Sequence, residues 1–355
     1  MEAYTNALVK EIVQKKDFFQ FNTQNEAFPK KIDTLYFGGG TPSQLSLHLI
    51  SQIVDALYKN FPVASNIEFT LEANPDDLDT AHLIAYKDMG INRLSIGIQS
   101  FNPSDLLYLN RTHNVAMAEY SIKHAQDAGF SNMNIDLIYG IPTLTQTSWK
   151  NNLNKFLALN IPHLSAYCLT VEPQTPLAVL IKKQKLKPVD ESQSVKHYNH
   201  LINFMDDHDF LHYEISNFCK ENYYSKHNLS YWQQKPYLGL GASAHSYSGD
   251  LRSWNIANTT QYIKNINNES VYYESEILKT ATKYNEYILT SLRTMWGCDL
   301  NYIKNNFGNS FYRYISNLLQ QQSIKQNVIT KNHIVYLTEK GKLFADKIAS
   351  DLFIV

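Results

Sequence analysis

Short apolar runs alternate with longer amphipathic stretches through the first half of the chain. The run IDTLYF (32–37) precedes LHLISQIVDALYKNF (47–61), whose apolar residues recur at the three- and four-residue spacing of one helix face. NIEFTLEAN (66–74), NRLSIGIQS (92–100), NMNIDLIYGIP (132–142) and HLSAYCLTVEP (163–173) read as further strands. TAHLIAYKDMG, NVAMAEYSIKHAQDAGF (114–130) and TQTSWKNNLNKFLALN (145–160) read as the helices between them. Gly90 and Gly129 stand where two of these helices should stop. Repeated β–α alternation predicts a parallel sheet with helices outside it, and such a sheet closed on itself is a barrel.

From about residue 175 the pattern changes. A helix near 190–208 leads to FLHYEISNF (210–218) and then to a loop-rich stretch, SKHNLSYWQQKPYLGLGASAHSYSGDLRSWN (225–255), dense in aromatics, histidine and glycine. After about 275 the chain reads as a separate small domain: ILKTATKYNEYILTSLRT and LNYIKNNFG as helices, NVITKNHIVYLTEKGKLFADKIAS as a two-stranded wing and a last helix. Three units are therefore expected: a barrel over 1–175, an extension over 176–274 carrying HNLSYW on a loop, and a winged-helix-like domain over 275–355.

Charge narrows what that last domain does. The net charge is −1 and the pI about 6.9, so the winged-helix pattern is read as a packing or lid domain, with no nucleic-acid partner. A hydrophobic fraction of 44% is ample for a core. Cys168, Cys219 and Cys298 lie too far apart for a disulfide framework, and a reducing cytoplasm is the expected setting. MEAYTNALVKEIVQ is read as an amphipathic helix rather than a signal peptide, and no apolar run is long enough to span a bilayer. A peripheral membrane contact is left open.

Polar residues follow the strands, and in a barrel of this kind chemistry sits at the strand ends. Gly38, Gly39, Gly40 and Thr41 follow the first, Glu72 the second, Gln99 the third with Arg111 downstream, and Asp136 lies near the end of the fourth. The intervals from Gly40 to Glu72, Gln99 and Asp136 in turn are 32, 27 and 37 residues. Each is about one βα unit, of the order of 30 residues. Taken singly these are a tight turn, a helix cap or a surface arginine. Taken together they converge on one mouth and suit one kind of ligand. Glycines let a ligand reach main-chain groups, a carboxylate and a carbonyl hold an ammonium, and Arg111 takes a carboxylate bidentately. A further carboxylate or amide binds ribose hydroxyls. S-Adenosylmethionine carries all of these groups.

YFGGGTPS, LEANP, SIGIQSFN, LNRTH and NIDLIYGIP resemble the radical S-adenosylmethionine enzymes related to oxygen-independent coproporphyrinogen III oxidase. YEISNF, HNLSYW, PYLGLGASAHS and RSWN resemble that family's haem-chaperone branch. The resemblance implies a partial (βα)6 barrel and a small C-terminal domain. It implies that Gly39, Gly40 and Thr41 hold the methionine part of S-adenosylmethionine, with Glu72, Gln99, Arg111 and Asp136 as further contacts. It implies that His227 is a haem-iron ligand, with haem and a haem-accepting protein as partners; His245 in GASAHS is the competing ligand. A coproporphyrinogen oxidase-like enzyme and a cluster-less fragment are the alternatives.

The family's CxxxCxxC loop, whose thiolates hold a [4Fe–4S] cluster, does not occur in this sequence. Cys168, in an apolar strand, is expected to be a buried small residue. The opening helix resembles the one that follows the cluster loop. The first barrel strand and that loop are thus expected upstream of Met1, a late-called start being favoured over a shortened member, and IDTLYF is expected at an open sheet edge. No radical catalysis, and no catalytic residue, is expected of the chain as written.

Overall fold

The computed structural model describes residues 1–19 and 31–354. After helix α1 (Glu2–Gln14), five strands alternate with helices: β1 (Ile32–Phe37), α2 (Leu47–Asn60), β2 (Val63–Ala73), α3 (Thr80–Asp88), β3 (Arg93–Gln99), α4 (Pro103–Tyr108), α5 (Val115–Asp127), β4 (Asn132–Tyr139), α6 (Gln146–Ala158) and β5 (His163–Cys168). All five are parallel, in the order β1-β2-β3-β4-β5, with β1 at the edge of the sheet. Helices α7 (Pro176–Lys182) and α8 (Glu191–Asp207) lead to the hairpin β6 (Leu211–Glu214) and β7 (Asn217–Cys219), and β7 pairs antiparallel with β5. The stretch FLHYEISNF thus carries both strands of this hairpin, which turns at Ile215 and Ser216.

The two faces of this sheet differ sharply. Leu35, Phe69, Leu71, Leu94, Ile96, Ile98, Ile135, Leu137 and Leu164 are buried in the main core beneath the helices. Alternate positions on the same strands carry Thr34 and Tyr36, Glu68, Thr70 and Glu72, Arg93, Ser95 and Gln99, Asn132, Asn134 and Asp136, then His163 and Ser165. Side chains two apart on a strand share a face, so the concave side is a polar lumen.

Further elements follow, the first of them at the edge of that lumen. Helix α9 (Lys226–Trp232) packs beside β1, and strands β8 (His245–Tyr247), β9 (Leu251–Asn255) and β10 (Tyr273–Ile277) form a small antiparallel sheet, with α10 (Thr259–Asn267) between the last two. Helices α11 (Thr280–Leu292), α12 (Leu300–Phe307) and α13 (Asn309–Leu318) follow, with the three-stranded sheet β11 (Cys298–Asp299), β12 (Val328–Lys331) and β13 (Ile334–Leu337) and a last helix, Ala345–Asp351; these share a separate core. Fully buried Glu11 ties α1 to the small sheet, accepting from Tyr262 Oη at 2.6 Å, Gly241 N at 2.7 Å and Asn255 Nδ2 at 2.7 Å. HNLSYW is a helix rather than a loop. Ser225 caps it through Asn228 N, and buried Glu68 on β2 accepts from the Lys226 and His227 amides at 3.0 and 2.9 Å. A carboxylate at a helix N-terminus satisfies its orphan amides and opposes the helix dipole. Cys168 is exposed rather than buried, since it is the last residue of β5, at the rim where the strand leaves the sheet.

Candidate functional site

Glycine opens the first strand end. β1 stops at Phe37, and Gly38 to Gly40 run on exposed, Gly39 with φ +76°. A Cβ on Gly39 or Gly40 would meet nothing within 4 Å, so this turn offers its main chain to the mouth of the lumen. Gly38 is the close approach: its Cβ would lie 2.5 Å from the Tyr36 ring and 2.7 Å from the Glu72 carboxylate. Tyr36 Oη donates to Glu72 Oε1 at 2.6 Å. Thr41 begins the short turn after the glycines.

The next strand ends are tied to this loop. Ser43 Oγ donates to Asp77 Oδ2 at 2.6 Å and accepts from Asn74 N at 3.3 Å. Asn74 Oδ1 accepts from Arg111 Nη2 at 2.8 Å, and the same nitrogen lies 3.4 Å from Gly97 O. Gln99, at φ +67°, turns its amide back toward Gly97, where an added Cβ would sit 2.9 Å from Gln99 Nε2 and 3.5 Å from Arg111 Nη2. Gln99 and Arg111 therefore both reach Gly97, and the Arg111 Nε is buried with no protein partner. An orphaned guanidinium N–H at these strand ends suits an anionic ligand group such as a carboxylate.

Asp136 completes the set from β4. It accepts from Asn134 Nδ2 at 2.8 Å, and burial, with the Glu72 charge adding to it, pushes its carboxyl up to about 6. A raised carboxyl favours the folded state when protonated, so this stability is full below about pH 4 and fades as pH rises through about 6. Asp136→Asn should therefore raise Tm more at pH 7 than at pH 4.5, read by thermal melts of both chains; an equal change at both pH values contradicts it.

His227 enters the same lumen from α9. Its ring stacks on Tyr36 at 4.4 Å and 15°, so one tyrosine links it to Glu72. Nδ1 meets Thr34 Oγ1 at 3.1 Å and Nε2 meets Tyr231 Oη at 3.1 Å. Burial, with the Arg93 charge adding, lowers its pKa to about 4, leaving a neutral imidazole of the kind that ligates metal. Around it Tyr231 is 39% exposed and 4.6 Å from the Tyr237 ring, and Trp232 lies under Arg293 at 5.3 Å with its Nε1 buried and unpartnered.

Several lumen residues were not singled out from sequence. Arg93 is 1% exposed, its side chain makes no ion pair or hydrogen bond among the described residues, and its orphaned Nε lies in register with the orphaned Thr70 Oγ1 and Asn132 Oδ1 on either side. A relay of hydrogen bonds runs from Asp136 through Asn134 to Ser165 (3.1 Å), Asn217 (3.0 Å) and Glu214 (2.6 Å). Glu214 holds Arg293 from α11's end at 3.0 and 3.1 Å. Strand parity was the available signal: every one of the lumen residues on β2 to β5 shares the face of Glu72 or Asp136.

The residues present do not fit an iron–sulfur cluster. No group of three His, Cys, Asp or Glu among the described residues could hold a metal, and the thiols of Cys219 and Cys298 are buried, each pushed up to about 12.

A parallel sheet with a glycine turn and converging polar groups at its strand ends defines a radical-SAM type of half-barrel. The profile of the Radical SAM superfamily matches residues 22–156. Coproporphyrinogen III oxidase (HemN) from Escherichia coli, described as a radical SAM enzyme, has the same fold: TM-score 0.83 at 23% identity, covering 99% of this chain and 83% of that one. The heme chaperone HemW of Bacillus subtilis is 32% identical over 98% of this chain and 90% of its own length. That of Lactococcus lactis is 30% identical over 96% and 86%. This chain belongs to the HemW family.

Proposed function

We propose that this chain binds haem beside α9 and passes it to an acceptor protein, with S-adenosylmethionine in the polar mouth of the half-barrel. The observation that carries the reading is His227: a neutral imidazole stacked on Tyr36, at the head of a half-exposed aromatic surface formed by Tyr231 and Tyr237. Imidazole is a common axial ligand of haem iron, and flat aromatic surface suits a porphyrin face. The name borne by the relatives, heme chaperone, agrees with this chemistry. Haem here is cargo rather than a resident group. His227 Nε2 becomes free for iron when the Tyr231 side chain swings away from it.

Gly39, Gly40 and Thr41 would present main-chain groups to the methionine part of S-adenosylmethionine. Arg111 would meet its carboxylate, and Glu72, Gln99 and Asp136 would take its ammonium and ribose hydroxyls. With no cluster ligands in the chain, no radical step is assigned to it. The C-terminal unit, winged-helix-like in its order of elements, packs against α9 through Arg293 over Trp232.

Titration with ferric haem tests the reading. The wild-type chain should bind one haem with a shifted Soret band, and His227→Ala should bind at least about tenfold more weakly. Unchanged affinity and spectrum in His227→Ala would remove His227 from the site.

A further inference from the structure

A second imidazole stands on the surface that begins at His227. On β8 the residues alternate: Ser246 turns inward, its Oγ accepting from Gly239 N at 3.0 Å, while His245 and Tyr247 take the other face. Tyr247 is bridged to Tyr237 by two main-chain hydrogen bonds of 2.9 Å, so those two side chains lie on the same side. Tyr237 touches Tyr231, and Tyr231 touches His227. In the other direction His245 faces Trp254 across β9, with ring centroids 6.2 Å apart. One run of aromatic rings therefore has His227 at its lumen end and His245 at its outer end.

The two histidines differ in what occupies their nitrogens. His227 has both engaged by hydroxyls. His245 is exposed, and its ring makes no hydrogen bond among the described residues. An exposed imidazole elsewhere on a surface is simply solvated. This one neighbours the Trp254 indole and shares its face of β8 with the Tyr247 phenol, where a flat apolar ligand gains contact area and finds a nitrogen lone pair beside it.

We infer that His245 is a second iron-ligating position, at the outer end of the aromatic face, between which and His227 haem is exchanged during uptake or delivery. The step replaces one imidazole nitrogen by another on the iron, with no change of oxidation state. It rests on the haem reading above and adds to it a route.

Ferric haem titrated into the wild type, His227→Ala, His245→Ala and the double variant, followed by absorption and electron paramagnetic resonance, separates the two claims. The His245 ring is exposed and unbonded, so its replacement leaves the fold intact, which a thermal melt verifies. His227→Ala should keep a nitrogen-ligated spectrum and bind haem at least about tenfold more tightly than the double variant. If His227→Ala and the double variant coincide in affinity and spectrum while the wild type binds haem, the second position is wrong and the haem reading stands. If the wild type itself takes no haem, the haem reading fails and this inference with it.

Discussion

Glu214→Ala is expected to destabilise the chain by about 3 kcal/mol, the low end of the range for removing one partner of a buried ion pair, because Arg293 is partly exposed and keeps Asp346. Glu214 is 2% exposed and uses both oxygens: Oε1 holds Arg293 through Nε and Nη2, and Oε2 accepts from Ser216 N at 3.0 Å and Asn217 Nδ2 at 2.6 Å. Alanine removes four acceptor contacts and leaves the Asn217 amide unpaired inside the sheet. It also leaves Arg293 with only Asp346, at 2.7 Å on the last helix, and the face of Trp232 on α9 to hold it. The loss should appear as a lower urea midpoint and as a changed tryptophan emission. A midpoint unchanged within error would mean that the C-terminal unit does not depend on this pair.

The second large effect is steric. In Gly239→Ala the new Cβ would lie 2.1 Å from the His245 carbonyl oxygen and 2.9 Å from that residue's C and N atoms. All three are main-chain atoms, so no side-chain rotation relieves the overlap. Strand β8 must move, taking with it the hydrogen bond from Gly239 to Ser246. The expected cost is about 3 kcal/mol, the upper end of the usual range for overpacking. Gly40→Ala is the matched control, since nothing lies within 4 Å of its added Cβ and its φ is unstrained. Its urea midpoint should match the wild type. Equal midpoints for all three chains would contradict the packing of β8 described above.

Much of this architecture is legible in the sequence because the βα repeat writes itself in apolar runs. Glu72, Gln99, Arg111 and Asp136 could be placed at one mouth from spacing alone, because parallel strands of similar length end together. The failures are equally physical. KHNLSYW lacks an apolar helical stripe, and its helix depends on Glu68, a residue 158 positions away, accepting from the first amides. Cys168 has strand neighbours and strand propensity, yet it ends the strand at the rim. Arg93 sits in a strand that reads as core, and only alternate-position parity places its guanidinium in the lumen. The helix rests on a residue remote in the chain, and the other two rest on where a strand leaves the sheet and which face it turns, none of which local pattern carries.

The location of iron in a crystal of the haem-loaded chain decides whether this aromatic face is the haem site. An anomalous difference map collected at the iron edge should show one strong peak on the aromatic face beside α9, within bonding distance of a His227 or His245 nitrogen. A peak elsewhere on the chain, with both imidazoles unligated, would contradict the assignment of this face as the haem site.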